Sequence, residues 1–109
     1  MELAVDIVRF VSDEPQPGVV ACEVWDAKGR KHAFIDKVPG FTAEVLDASS
    51  GYPQRGGIRC KKVATWRDEN GRDVVRISTE FPDHIESSEG VLEFDVFANQ
   101  LSPVGESGQ

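Results

Sequence analysis

The dipeptide Asn70-Gly71 constrains this 109-residue chain more than any other feature. Both residues tolerate positive φ, which a tight type I′ turn needs at its two central positions. β-Branched and aromatic residues flank it: Ile58, Val63, Thr65 and Trp66 before the turn, Val74, Val75, Ile77, Thr79 and Phe81 after it. Residues 57–81 therefore read as one long hairpin. Two registers compete. A two-residue Asn-Gly turn pairs Trp66 with Val75, Ala64 with Ile77 and Cys60 with Phe81. It gathers Ile58, Cys60, Ala64, Trp66, Val75, Ile77 and Phe81 on one face, but sets Asp68 opposite Asp73. A three-residue loop with Gly71 in a bulge opposes Arg67 to Asp73 and Asp68 to Arg72, and splits the apolar set. A one-residue slip turns every side chain over, so only one register can hold. Burial normally outweighs a surface ion pair worth about 0–1 kcal/mol, which favours the first. In that register Arg59, Lys61, Thr65 and Arg76 share the outer face and Trp66 turns inward. The bulged register would put Trp66 beside Lys62 and Arg76.

The rest of the chain reads as further short strands between turn signals. Residues 2–11 alternate, with Leu3, Val5 and Ile7 on one face and Val8 and Phe10 on the other, which predicts a bulge or a strand crossing between two core regions. Two prolines and a glycine make residues 12–18 a turn. Residues 19–36 form a second hairpin. Its tip, residues 26–29, suits a type I turn followed by a left-handed glycine. That tip pairs Cys22 with Phe34 and Val24 with His32, and places Trp25 outside. Thr42 to Leu46 could be one helical turn capped by Thr42 or a short strand. Residues 49–57 read as a loop anchored by Tyr52. A polar connection follows Phe81, and residues 91–98 form a last strand with Leu92, Phe94, Val96 and Ala98 on one face. The expected fold is all-β: a small antiparallel β-barrel, or alternatively a β-sandwich, with at most one short helical turn. Residues 1–101 form a single β domain and residues 102–109 a flexible C-terminal tail.

Charge is distributed unevenly. The chain carries a net charge of −7, but residues 28–76 hold eleven of its twelve basic residues and six acids, a net of +5. Residues 77–109 hold seven acids and no base. A folded sheet can bring the acidic ends beside the basic middle and neutralise it, or present one face to an anionic partner. No apolar run approaches the roughly 18 residues a membrane helix requires, so no membrane association is expected. The start, MELAVDIVRF, lacks a basic leader and an apolar block. The expected location is cytoplasmic. In that compartment Cys22 and Cys60 are expected as buried thiols rather than a disulfide.

Three fragments resemble the third domain of elongation factor Tu, a small β-barrel. Gly29-Arg30-Lys31-His32 resembles its Gly-Gly-Arg stretch. Gly51-Tyr52-Pro53-Gln54 is similar to its Gly-Tyr-Arg-Pro-Gln, without the Arg. Glu80-Phe81-Pro82-Asp83, then a strand and Ser102-Pro103, resembles the later course of such barrels. The first two fragments lie farther apart here than in that family. The resemblance implies a barrel that contacts proteins and transfer RNA and performs no chemistry. No Gly-x-x-x-x-Gly-Lys-Ser/Thr loop is present, which excludes a GTPase of that type.

Catalytic signals are sparse. Asp83 and His84, with Glu80, Glu86 and Glu89, could ligate metal or move protons, and a small metal-dependent enzyme around His84 is one alternative. Cys22, His32, Cys60 and His84 supply the residue types of a zinc site, but structural zinc sites use close cysteine pairs that this chain lacks. No catalytic residue, cofactor or metal is assigned. The leading expectation is a non-enzymatic protein-binding module, with a protein partner or a homodimer contact. Its candidate binding residues are Trp25, Arg30, Lys31, Tyr52, Arg59, Lys61 and Arg76. The alternative is a barrel for single-stranded nucleic acid, because basic and aromatic residues are interleaved as on such surfaces. Against it, the pI is about 4.7, far from the basic balance of most such domains.

Overall fold

The computed structural model describes residues 1–103. Its regular structure is entirely β apart from two 3-10 turns, Val38–Gly40 and Ala98–Gln100. The strands are β1 (Glu2–Ser12), β2 (Val19–Trp25), β3 (Lys31–Lys37), β4 (Gln54–Arg59), β5 (Lys61–Arg67), β6 (Asp73–Ser78), β7 (Glu93–Phe97) and β8 (Leu101–Ser102). One antiparallel sheet runs β3-β2-β1-β4, with β8 added to the start of β1; the other runs β5-β6-β7. Neither sheet closes on itself. No helix among the described residues is long and apolar enough to cross a membrane.

The sheets share one core. Leu3, Val5, Ile7, Val20, Cys22, Val24, Phe34 and Ile58 from the first meet Val75, Ile77, Phe94 and Val96 from the second. The bulge expected in residues 2–11 is present: the register shifts at Val8, and again between Phe10 and Ser12, and the first shift returns Phe10, opposite Val20, to the face of Leu3, Val5 and Ile7, where it packs at the core margin. The 19–36 hairpin has the expected register, with Cys22 opposite Phe34 and Val24 opposite His32. Both cysteines are free and buried, and burial raises their pKa values, to about 12 for Cys22 and about 11 for Cys60.

The central hairpin corrects the sequence reading twice. First, residues 57–81 are not one hairpin. The chain breaks at Cys60: β4 belongs to the first sheet, where Ile58 lies opposite Leu3, and β5 begins the second. Ile58 and Cys60 are buried as expected, but they pack with β1 rather than with Phe81, which is 59% exposed. Second, the turn adopts the bulged register. Arg67 lies opposite Asp73, Trp66 opposite Val74 and Thr65 opposite Val75. Trp66 therefore faces away from Val75, and Ala64 and Trp66 are exposed rather than inward. The cause is local. Asp68 Oδ1 accepts the N–H groups of Asn70 and Arg72, each at 2.9 Å, and Gly71 sits at φ +80°. A side-chain cap of this kind stabilises by about 1 kcal/mol. Against them stood an apolar face that β5 never buries, since all seven of its residues are exposed. A further shift between Lys62 and Ala64 then sets Lys62 opposite Ile77. Lys62 thus leaves the face that Trp66 shares with Arg76.

Three smaller differences follow. Residues 42–46 form neither helix nor strand; the short helical turn lies earlier, at Val38–Gly40, where Pro39 presets φ for its first turn. The 49–57 stretch is only partly loop, because Gln54 onward is β4 paired with β1. Tyr52 does anchor what precedes it, donating its hydroxyl to the Asp47 carbonyl at 2.8 Å. The connection after Phe81 is not wholly solvated: Ile85 enters the core, tied down by its N–H to the Thr79 carbonyl at 3.0 Å. Ser102, read as the first tail residue, pairs with Glu2 in β8, and residues 104–109 of that tail lie outside the described residues.

Candidate functional site

The structure divides the seven predicted binding residues among separate places. Trp25 is 58% exposed at the end of β2, with the Lys31 ammonium 5.9 Å from its ring centre. Lys31 also pairs with Glu23 at 3.5 Å. Arg59 makes a two-pronged contact to Asp83, at 3.1 and 2.9 Å, and the Lys61 ammonium lies 5.9 Å from the Phe81 ring centre. Tyr52 stands apart against the core margin. Arg30 and Arg76 line a common groove of about 310 Å³ between the β2–β3 tip and the outer face of the second sheet.

Turn chemistry builds one wall of that groove. Asp26 Oδ1 accepts the N–H groups of Lys28 and Arg30 at 2.9 Å each, and Gly29 takes φ +82°. Asp26 Oδ2 lies 2.8 Å from His32 Nε2. The His32 ring packs edge-on against Phe94, with centres 4.9 Å apart. Burial opposes ionisation of Asp26, but hydrogen bonds from His32, Arg30 and Lys28 outweigh it and hold its pKa below the ordinary carboxylate value. The tip is fastened to the second sheet by the Ala27 N–H, which donates to the Asp95 carbonyl at 2.8 Å.

The opposite wall is the outer face of β5, β6 and β7. Arg76 reaches Asp95 with two hydrogen bonds, at 2.8 and 3.1 Å, while its guanidinium lies 5.4 Å from the Trp66 ring centre. The Asp95 hydrogen bonds raise the pKa of Arg76. Arg72 lies 3.5 Å from the Phe97 ring centre on the same face. A second hollow of about 380 Å³ between Lys28, Trp66, Val74 and Asp95 continues the first. Sequence reading missed Asp26, His32 and Phe97 as members of this surface, and put Trp66 beside Arg76 only in the register it did not prefer. Asp26 and His32 had a signal, since a tip aspartate with a histidine six residues on meets across a hairpin. Trp66 had one in the Asp-x-x-Gly-Arg tip at residues 68–72, which sets the register.

The surface is of mixed charge. Its bases are interleaved with Asp26, Glu89, Glu93 and Asp95, so the groove is not a basic channel. Among the described residues no buried side-chain polar atom lacks a hydrogen-bond partner. No group of three or more His, Cys, Asp or Glu side chains there could hold a metal ion. His84 is exposed, 3.2 Å from Glu86, while Asp83 is taken by Arg59; Cys22 and Cys60 are buried. The chain matches no known protein family, no curated protein and no solved structure.

Proposed function

We propose that this protein is a non-enzymatic module that binds a protein partner through the outer face of β5, β6 and β7. The observation that carries the reading is the pair of surface arginines stacked on aromatic rings, Arg72 on Phe97 and Arg76 near Trp66, with Arg76 oriented by Asp95. Tryptophan and arginine dominate binding hot spots, and side chains already held in place lose little entropy on association. The groove beside Arg30 and Lys28 would receive a side chain from the partner. The resemblance to the translation-factor barrel, which contacts other macromolecules without chemistry, supports the same reading. A β-sandwich with open sheet edges, rather than a closed barrel, is the architecture that best fits the two separate sheets. A homodimer through this face is one form the contact could take.

Affinity capture with the full chain as bait tests the reading. Wild type should retain a partner that Trp66→Ala and Arg76→Ala each lose while remaining folded by circular dichroism. Capture by both variants at wild-type level, or by none of the three proteins, would end it. A second reading has one specific support: the bulged register places Trp66 and Arg76 together, the beginnings of a stacking platform for single-stranded nucleic acid. Fluorescence titration with single-stranded RNA at low salt separates the two, because nucleic-acid binding would quench Trp66 and weaken steeply with salt.

A further inference from the structure

Asparagine is thermally labile, because the backbone nitrogen of the next residue is held close enough to attack its side-chain carbonyl. The chain has two asparagines, Asn70 before Gly71 and Asn99 before Gln100. They differ in access. Gly71 has no Cβ beside the attacking nitrogen, and an added Cβ would have no neighbour within 4 Å. Asn70 and Gly71 are both exposed, and Asn70 gives the turn its N–H and not its side chain. Gln100 carries a Cβ, and its side chain is fixed at both ends, accepting the Phe97 N–H at 2.7 Å and donating to the Trp25 carbonyl at 2.8 Å. One contact opposes attack at Gly71. Its N–H donates to the Asp68 carbonyl at 2.9 Å, and a hydrogen bond made by the protonated form opposes loss of the proton. The nitrogen is released when the tip opens, and Asp68 Oδ1 holds the tip closed through the N–H groups of Asn70 and Arg72.

We propose that Asn70 is a site of spontaneous deamidation and isoaspartate formation, at a rate that Asp68 sets by keeping the tip closed. The Gly71 nitrogen gives its proton to solvent base, and its lone pair forms a bond to Cγ of Asn70. The Cγ–Nδ2 bond breaks, and the departing nitrogen takes a proton from solvent and leaves as ammonia. A cyclic imide then joins the two residues. Water adds to one of its carbonyls, the bond from that carbonyl to the Gly71 nitrogen breaks, and the nitrogen regains a proton. Opening at Cγ leaves aspartate at position 70. Opening at the main-chain carbonyl leaves isoaspartate, with the main chain routed through Cβ and Cγ. Either product adds a negative charge to the hollow that Asn70 lines with Lys28, Trp66 and Glu69. Isoaspartate also inserts a main-chain carbon between two N–H groups that share one oxygen of Asp68, and so draws the Arg72 N–H away from it. The modification therefore acts on the turn that sets the β5–β6 register.

The test incubates the full chain at neutral pH and physiological temperature, separates charge variants by ion exchange, and locates them by peptide mass mapping. The folded chain should accumulate an acidic variant that maps to residue 70 and not to residue 99, and chain held unfolded in urea should form it faster. Asp68→Ala should speed its formation in the folded chain about fivefold, the effect on tip opening of losing a side-chain cap. Asp26→Ala, the same change at the other tip, should leave the rate as in wild type, because the opening is local to residues 68–72. Asn70→Gln should remove the variant. In the purified isoaspartyl fraction the Arg72 amide should exchange about tenfold or more faster than in unmodified chain. Absence of the variant from the folded chain, equal rates in wild type and Asp68→Ala, or acceleration by Asp26→Ala as large as by Asp68→Ala would each overturn the proposal.

Discussion

The hairpins β2–β3 and β5–β6 turn in the same way and share little else. Each carries Asp-x-x-Gly-Arg at its tip: residues 26–30 in one, residues 68–72 in the other. In each the aspartate accepts the backbone N–H groups two and four residues on, the glycine takes φ near +80°, and the aspartate N–H closes onto the arginine carbonyl, at 2.8 and 2.9 Å. The strands beyond the tips diverge. β2 buries Val20, Ala21, Cys22 and Val24, whereas β5 buries nothing. Turn chemistry therefore sets register in both hairpins, and burial follows from where the strands are delivered. In β2–β3 the two agree. In β5–β6 they conflict, and the turn prevails because the strand entering from Cys60 lies at a sheet edge with no core above it.

The largest test of this contrast is truncation of an aromatic in each hairpin. Phe34 is fully buried, tilted against Phe94 at 5.6 Å between ring centres. Phe34→Ala should cost about 3–5 kcal/mol in urea denaturation. Trp66→Ala, in the exposed hairpin, should cost about 1 kcal/mol or less. Equal losses would mean that β5 covers a core after all.

Next in size are the tip aspartates. Asp26→Ala should cost about 2–3 kcal/mol, since it frees two backbone donors and a half-buried His32 together. Asp68→Ala should cost about 1 kcal/mol, the ordinary value for a lost turn or helix cap. The same denaturation measurement reads both, and a larger loss at Asp68 would break the ranking.

Acid stability tests the Asp26 tip alone. The folded pKa of Asp26 is depressed, so its contribution is complete above the unfolded value of about 3.9 and is lost as pH falls through the folded value. Asp26→Asn should therefore flatten the fall in stability below about pH 4 relative to wild type. Unchanged acid denaturation curves would show that the hydrogen bonds to Asp26 do not favour its charge.

These contrasts explain which parts of the fold were legible in the sequence. Cys22 opposite Phe34 could be read because the residue 26–29 turn and the alternation of the strands name the same register. Leu3, Val5 and Ile7, with the bulge after them, could be read from parity alone. Ile58 and Cys60 were assigned to the wrong partner because a strand crossing from one sheet to the next looks, in sequence, like one strand continuing. Ile85 was missed because a single apolar residue in a polar loop has no periodicity to reveal it. Of the candidate surface, Arg30 and Arg76 were named from charge, and both line the groove. Of their neighbours, Trp66 depends on the β5–β6 register, whose Asp-x-x-Gly-Arg signal was outweighed by an apolar face, and Phe97 on the β6–β7 pairing, which no tight turn specifies.

The smallest expected effect bears most directly on the register. A type I′ turn would hold Asn70 at positive φ, where alanine is strained by about 1–2 kcal/mol. In the observed turn Asn70 does not take positive φ (among the described residues the only non-glycine residue that does is His84, in the connection after Phe81), and Asn70 contributes only its N–H to Asp68. Alanine supplies that N–H equally well. Asn70→Ala should then change stability by no more than about 0.5 kcal/mol. Gly71→Ala should cost about 1 kcal/mol, as should Gly29→Ala, because each glycine has positive φ and neither has a neighbour within 4 Å of an added Cβ. Matched losses at the two glycines with silence at Asn70 place both hairpins in the same turn class. A loss at Asn70 as large as that at Gly71 would return the chain to the two-residue turn, carry Trp66 to the inner face, and remove it from the surface on which the proposed contact depends.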